Sequence, residues 1–111
     1  MRKYIIMPII EKARKNLGEL KKEEENLLSM LGALGDTNRF RIFKLLLCHP
    51  NLCVTEVAQV LNISVPATSQ HFRILEMSGL VHKERSGLKV CYMLEKEDPV
   101  VVSVAQLFKN K

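Results

Sequence analysis

Few residues in this chain combine reactivity with useful spacing, and the strongest candidates are Cys48, His49, Cys53 and Cys91. In HPNLCVTEVAQVLNIS, residues 49–64, Cys53 and Glu56 stand three apart just before an apolar run. Two chemistries suit that spacing. In a capping box a Ser or Thr hydroxyl and a Glu three residues on satisfy the opening N–H groups of a helix. Cys53 and Glu56 copy that pattern with a weaker acceptor. A thiol at a helix N-terminus is also acidified, which would make Cys53 a reactive group or a soft ligand, with Glu56 opposing the shift. Cys48, His49 and Cys53, with Cys91 as an outside member, could close on one soft ion, but such a site needs three or four convergent ligands. Cys48 follows a leucine run and reads as a small buried hydrophobe, and Cys91 as strand packing. Paired carboxylates, a nucleophile–base motif and a glycine-rich phosphate loop are all missing, so the reading is not an enzyme and no cofactor is expected.

These residues must be positioned by elements that the sequence marks clearly. Residues 8–33 read as helical, with Leu17, Leu20, Leu27, Leu28 and Leu31 at helical spacing. Lys21, Lys22 and Glu23 to Glu25 are a solvated face or a joint between two helices. Gly35-Asp36 is a stop followed by an N-cap. The next helix turns Phe40, Phe43, Leu46 and Leu47 inward, ends near Cys48, and is closed by Pro50. A short helix over about 53–61 points Val54, Val57, Ala58 and Leu61 inward. Asn62 takes the left-handed turn. Ser64 caps a longer helix that tolerates Pro66 in its first turn. That helix carries Thr68, His71, Phe72 and Leu75 on its inner face and stops at Gly79. Alternation of Leu88, Val90, Tyr92 and Leu94 around Ser86-Gly87 predicts a hairpin. Asp98-Pro99 starts a last helix, whose Val100, Val101, Val104, Leu107 and Phe108 are too apolar for a solvated tail.

The totals fit one domain of 111 residues, 47% hydrophobic and 26% charged. Six aromatic residues and no Trp leave most of the core to aliphatic side chains. A net charge of +5 favours polyanionic partners. The opening MRKYIIMPIIEKARK is too short and too charged for a signal peptide or a spanning helix, so no membrane partner is expected. Arg2, Lys3, Lys12, Arg14 and Lys15 read as ordinary surface, with a DNA-binding arm as the alternative. Three cysteines without framework spacing fit a reducing compartment, and the chain reads as cytoplasmic.

Helix, short helix, tight turn, longer helix and β-hairpin together make a winged helix-turn-helix, mainly α with a small β-hairpin (α+β). The helix-turn-helix spans about 53–78 and the wing about 81–94. Residues 36–94 hold seven Lys/Arg and four acids, a net +3. Ser64, Val65, Pro66, Thr68, Ser69, Gln70 and Arg73 suit a helix entering the major groove. Ser and Gln can bond base edges there, and Arg can bind guanine bidentately. Lys83, Arg85 and Lys89 suit phosphate contacts.

The strings ALGDTNRFRIFKLL, LCVTEVAQVLNISVPATSQHFRILEMSGLV and ERSGLKVCYML resemble the ArsR/SmtB family over roughly residues 31–94. The resemblance implies a dimeric repressor of double-stranded DNA that reads an inverted repeat and is released by an inducer. It also implies a homodimer built on the first and last helices, about 8–33 and 99–110. Its face would hold Leu17, Leu20, Val100, Val101, Val104, Leu107 and Phe108. By position, His71 matches a family His that packs between helices. Arg39 matches the family Arg, with Thr37-Asn38 in place of Pro-Thr. Metal-sensing members carry Cys-x-Cys where this chain has Cys53-Val54-Thr55. No His follows His82, so a zinc-type site on the last helix is missing. The thiol-sensing branch needs one Cys before the turn and one in the last helix. Here Leu45 stands at the first position and the last helix has no Cys. The metal assignment is therefore none, and the effector is not identified. Gating by a soft metal(loid) or by thiol oxidation at Cys53/Cys48 is one alternative, and a winged-helix protein-interaction module is another.

Overall fold

The computed structural model describes the backbone of residues 2–109 and the side chains of residues 8–108. The elements run α1 (Arg2–Leu17), α2 (Lys22–Leu34), α3 (Thr37–Cys48), α4 (Val54–Leu61), α5 (Val65–Met77), β1 (Val81–Ser86), β2 (Lys89–Leu94) and α6 (Pro99–Lys109). The side chains of Arg2 and Lys3, and the helix end expected at residue 110, lie outside the described residues.

Local chemistry sets most boundaries. Gly18 enters the left-handed region at φ +58° and ends α1. The helical stretch 8–33 is therefore two helices joined through residues 18–21, with Lys21 as the N-cap of α2 and Lys22 to Glu25 in its first turn. Glu24 Oε1 accepts from Lys21 N–H at 2.8 Å, and Glu23 to Glu25 occupy the first turn of α2, where negative charge is favoured. Asp36 caps α3 by accepting from Arg39 N–H at 3.1 Å. Asn62 closes α4 with φ 56° and ψ 46°, and Ile63 N–H returns to Ala58 O at 3.1 Å. Ser64 Oγ then accepts from Ala67 N–H at 3.1 Å and α5 begins. Gly79, at φ +85°, lets Leu80 N–H reach back to Leu75 O and drops Leu80 into the core. Asp98 Oδ1 accepts from the N–H groups of Val100 and Val101 at the start of α6.

β1 and β2 pair antiparallel from Val81↔Leu94 to Ser86↔Lys89, so the turn is Gly87-Leu88. Leu88 was expected to alternate inward along a strand. It sits instead at the turn tip, fully exposed, because the register places it beyond the last pair.

Phe43, Phe72, Ile42, Leu46, Leu75, Leu80 and Val57 fill the centre, between α2, α3, α4, α5, the hairpin root and α6. Tyr92 closes it from the hairpin, its ring stacked on Phe72 with centroids 4.5 Å apart. Two positions differ from expectation, one on α3 and one on α6. Phe40 is exposed on its own side of α3, with its ring 5.3 Å from Phe108, and Ile42 takes the core place. The apolar residues of α3 span two overlapping faces, and packing against α5 and β2 selects the face of Ile42, Phe43 and Leu46. Val101, expected at a dimer face, is only 2% exposed and belongs to the protomer's own core. Val100, Val104 and Phe108 are partly buried against that core, whereas Val102 and Leu107 are exposed. Leu17, Leu20, Leu28 and Leu31 leave further apolar surface on α1, α2 and their joint.

Candidate nucleic-acid interface

α4 and α5 are joined by the three-residue connection Asn62-Ile63-Ser64, and the inner residues of both helices are buried. That anchoring leaves the opposite edge of α5 bare. Ser64, Val65, Pro66, Ser69, Gln70 and Arg73 are all exposed. The wing stands across from them, with Lys83, Arg85 and Lys89 exposed. Between helix and wing runs an open groove of about 810 Å³. Val65, Pro66, Ser69, Gln70 and Arg73 form one wall, Lys83, Leu88, Lys89 and Val90 the other, and Cys53 and Tyr92 also line it. Glu76 is its one acidic lining residue.

The groove is cationic and carries short polar groups near the helix start. Lys83 leans over the Tyr92 ring, its Nζ 5.8 Å from the centroid, within cation–π range. None of Arg73, Lys83, Arg85 or Lys89 has an ion-pair partner among the described residues. Uncommitted guanidinium and ammonium groups of this kind meet phosphate without first breaking an internal pair. Thr68 must leave the set. It is 0% exposed, and its hydroxyl donates to Ser64 O at 2.9 Å inside the helix. With a period of 3.6, Thr68 shares the face of Phe72 and Leu75 rather than that of Ser69 and Arg73.

A polar buttress fixes α5 from behind. Arg39 Nε donates to Ala33 O at 2.7 Å, and its Nη1 lies 3.4 Å from His71 Nδ1. Arg has no acceptor, so His71 Nδ1 accepts and the ring proton sits on Nε2. Asp36 lies 3.9 Å from the same nitrogen. The Arg39 backbone N–H first, with the Arg39 guanidinium adding to it, holds the Asp36 carboxyl below its ordinary value against the opposing effect of desolvation. One arginine thus ties the end of α2 and the cap of α3 to His71 on α5.

The cysteines differ most from expectation. Cys53 and Cys91 form a disulfide, 38 residues apart in sequence with Cα atoms 4.2 Å apart. Cys53 is the N-cap of α4, and Glu56 Oε1 accepts from its N–H at 2.9 Å. Cys91 is therefore more than strand packing, and the three cysteines are a bonded pair plus one. No spacing signal could have found the pair, because the contact depends on where the hairpin docks. Cys48 is a free and exposed thiol, not a buried hydrophobe, since the helix end carries it past the core. Among the described residues no three His, Cys, Asp or Glu converge as a metal site, so Cys48, His49, Cys53 and Cys91 do not form one. Sequence reasoning also passed over His82, at the hairpin root. One ring nitrogen is hydrogen-bonded to Glu95, and the other lies 3.2 Å from Glu84. Those two carboxylates, Glu95 first, raise its pKa over a small opposing desolvation.

Comparison with known proteins agrees with this geometry. The sequence profile described as "Bacterial regulatory protein, arsR family" matches residues 36–83. A cadmium resistance transcriptional regulatory protein, a CadC homolog of Staphylococcus aureus, is 30% identical over 94 residues, covering 85% of this chain and 76% of that protein. The structure of HlyU from Vibrio cholerae is 28% identical, with a TM-score of 0.70 over 82% of this chain and 96% of its own. Reduced HlyU from the same organism is 29% identical, with a TM-score of 0.68 over 80% and 90% of the two chains. The chain belongs to the arsR family of bacterial regulatory proteins, winged-helix DNA-binding regulators of transcription.

Proposed function

We propose that two copies of this chain bind an inverted-repeat operator and repress transcription, each placing α5 in a major groove and its wing on the flanking backbone. One observation carries the reading. The exposed edge of α5 and the wing's Lys83 and Lys89 face a single groove, with no ion pairs to break among the described residues. Ser64, Val65, Pro66, Ser69 and Gln70 contact base edges or the backbone beside them, and Arg73 reads guanine. Lys83, Arg85 and Lys89 hold phosphates.

The dimer face is formed by Leu17 and Leu20 with Leu107, edged by Val100, Val104 and Phe108. Exposed leucines on α1, α2 and α6 are more than a protomer of this size leaves bare without a partner. The protein acts where the chromosome is, in the cytoplasm, and no described helix is long and apolar enough to cross a membrane. It is not an enzyme. The CadC homolog is named for cadmium resistance, but here Thr55 replaces the second thiolate of Cys-x-Cys and Cys53 is bonded to Cys91. Cadmium sensing of that kind is therefore not assigned.

The deciding experiment is fluorescence anisotropy with a duplex from the promoter region of the gene itself. Binding should weaken steeply with salt, and Arg73→Ala should relax base preference at one position per half-site. Equal affinity for the promoter duplex and for scrambled DNA would overturn sequence-specific reading.

A further inference from the structure

The Cys53–Cys91 disulfide has no part in the function described so far, yet it sits in the wall of the groove that performs it. We propose that it is a reversible redox clamp, which raises operator affinity by fixing the wing against the first helix of the helix-turn-helix. The proposal rests on the DNA-binding reading above.

Three observations carry it. First, the backbones of Cys53 and Cys91 pair as an isolated antiparallel bridge, with Cα atoms 4.2 Å apart. Such a pairing holds two side chains together on one side, so the sulfurs can join or part with little backbone movement. Second, the covalent loop from 53 to 91 encloses α4, α5, β1 and the wing turn. Every side chain proposed to meet DNA, from Ser64 to Lys89, lies within it, and α1, α2, α3 and α6 lie outside. The bond therefore constrains the reading unit alone. Third, the bond is within reach of solvent, with one of its two cysteines in the groove wall. Cys53 is 8% exposed and lines the groove, and Cys91, outside the lining, is half-buried. A disulfide in a protein that works beside DNA, where thiols are kept reduced, is of the transient, sensing kind.

The chemistry balances with a low-molecular-weight disulfide, RSSR, as oxidant. The thiolate of Cys91, the more accessible of the two, attacks one sulfur of RSSR, forming a mixed disulfide and releasing RS⁻. The Cys53 thiolate then attacks the Cys91 sulfur, the mixed bond breaks, and a second RS⁻ leaves. Two protein thiols are oxidised, RSSR is reduced to two RSH, and the two protons pass to the leaving thiolates. Two equivalents of RSH reverse the sequence.

The sign follows from pre-organisation. With the bond in place the wing strand is tied to the start of α4, so the wall carrying Lys83 and Lys89 is held at one distance from α5. Reduction only adds looser wing positions, and each dilutes the state that binds. This pair joins a helix start to a wing strand, unlike the helix-to-helix pair of the family's thiol-sensing branch.

The test is promoter-duplex anisotropy on the full chain after oxidised glutathione or after dithiothreitol, with mass spectrometry of the Cys53–Cys91 peptide pair. Affinity should fall at least about fivefold on reduction, the low end of site-to-site coupling. Cys53→Ser, which keeps a good N-cap, and Cys91→Ser should each bind like the reduced chain in both conditions. Cys48→Ser should still switch. Equal affinity of the oxidised and reduced chain, tighter binding by the reduced chain, or failure of oxidised glutathione to form the pair would overturn the clamp while leaving DNA reading intact. Lack of promoter preference in both redox states would instead overturn the DNA reading itself.

Discussion

The wing offers the most quantitative prediction, through the salt dependence of binding. Lys83, Arg85 and Lys89 are exposed, carry no internal ion pair among the described residues, and lie on the hairpin facing or flanking the groove. If each neutralises one phosphate, a dimer neutralises about six, and log Kobs should fall with log salt at a slope of about −5. Raising salt fourfold then weakens binding by roughly three orders of magnitude. Lys89→Ala removes one contact per protomer, two per dimer, and should bring the slope to about −3.6. The same variant should lose affinity for specific and scrambled duplexes in equal proportion, since phosphates carry no sequence. The assay is an anisotropy titration at four or five salt concentrations, with sedimentation to verify an unchanged oligomeric state. An unchanged slope in Lys89→Ala, or a change in base preference without a change in slope, would refute the assignment of the wing to phosphates. Lys83 should matter less than Lys89, because its ammonium already rests over the Tyr92 ring.

Other outcomes follow from the same geometry. The Cys53–Cys91 bond closes a 38-residue loop, so reduction should cost up to about 4 kcal/mol of stability by the chain-entropy estimate. A thermal melt should show a drop on the order of 15 °C in dithiothreitol, and the Cys53→Ser/Cys91→Ser variant should show none. Thr68→Val should cost about 1 kcal/mol in a denaturant melt by removing the hydroxyl bond to Ser64 O, and should leave base preference unchanged because the side chain is buried. Asn62 holds φ 56°, so Asn62→Ala should destabilise by about 1 kcal/mol and Asn62→Gly should be tolerated, both read by urea unfolding. His82 has a raised pKa through Glu95 and Glu84, so its protonated form stabilises the hairpin root. That contribution is complete below the ordinary histidine pKa and is lost as pH rises through the raised one. The His82 ring resonances in an NMR titration should therefore shift late, and His82→Gln should abolish this part of the pH dependence.

Legibility followed the range of the interaction. Asp36, Ser64, Asn62 and Asp98 could be assigned from sequence because a cap or a left-handed turn is settled within about four residues. The same holds for the short turn between α4 and α5 and for the exposed edge of Ser69, Gln70 and Arg73, which follow from helical period alone. His71 could be placed on the inner face of its helix, although its partner Arg39, 32 residues away, could not be foreseen. Thr68 has the small polar side chain expected of a DNA contact near a helix start, but helical period turns it to the buried face, where its hydroxyl bonds Ser64 O.

The sequence by itself therefore determined the order of elements, the helix-turn-helix and the cationic edge of the groove, since each rests on local hydrogen bonds and periodic burial. Only the tertiary structure decided which of two apolar faces α3 buries, and that Val101 belongs to the core instead of to a dimer face. The joining of Cys53 to Cys91 was decided in the same way. Each depends on surfaces brought together from distant parts of the chain, where the free energy lies in packing and backbone pairing that no short window of sequence contains.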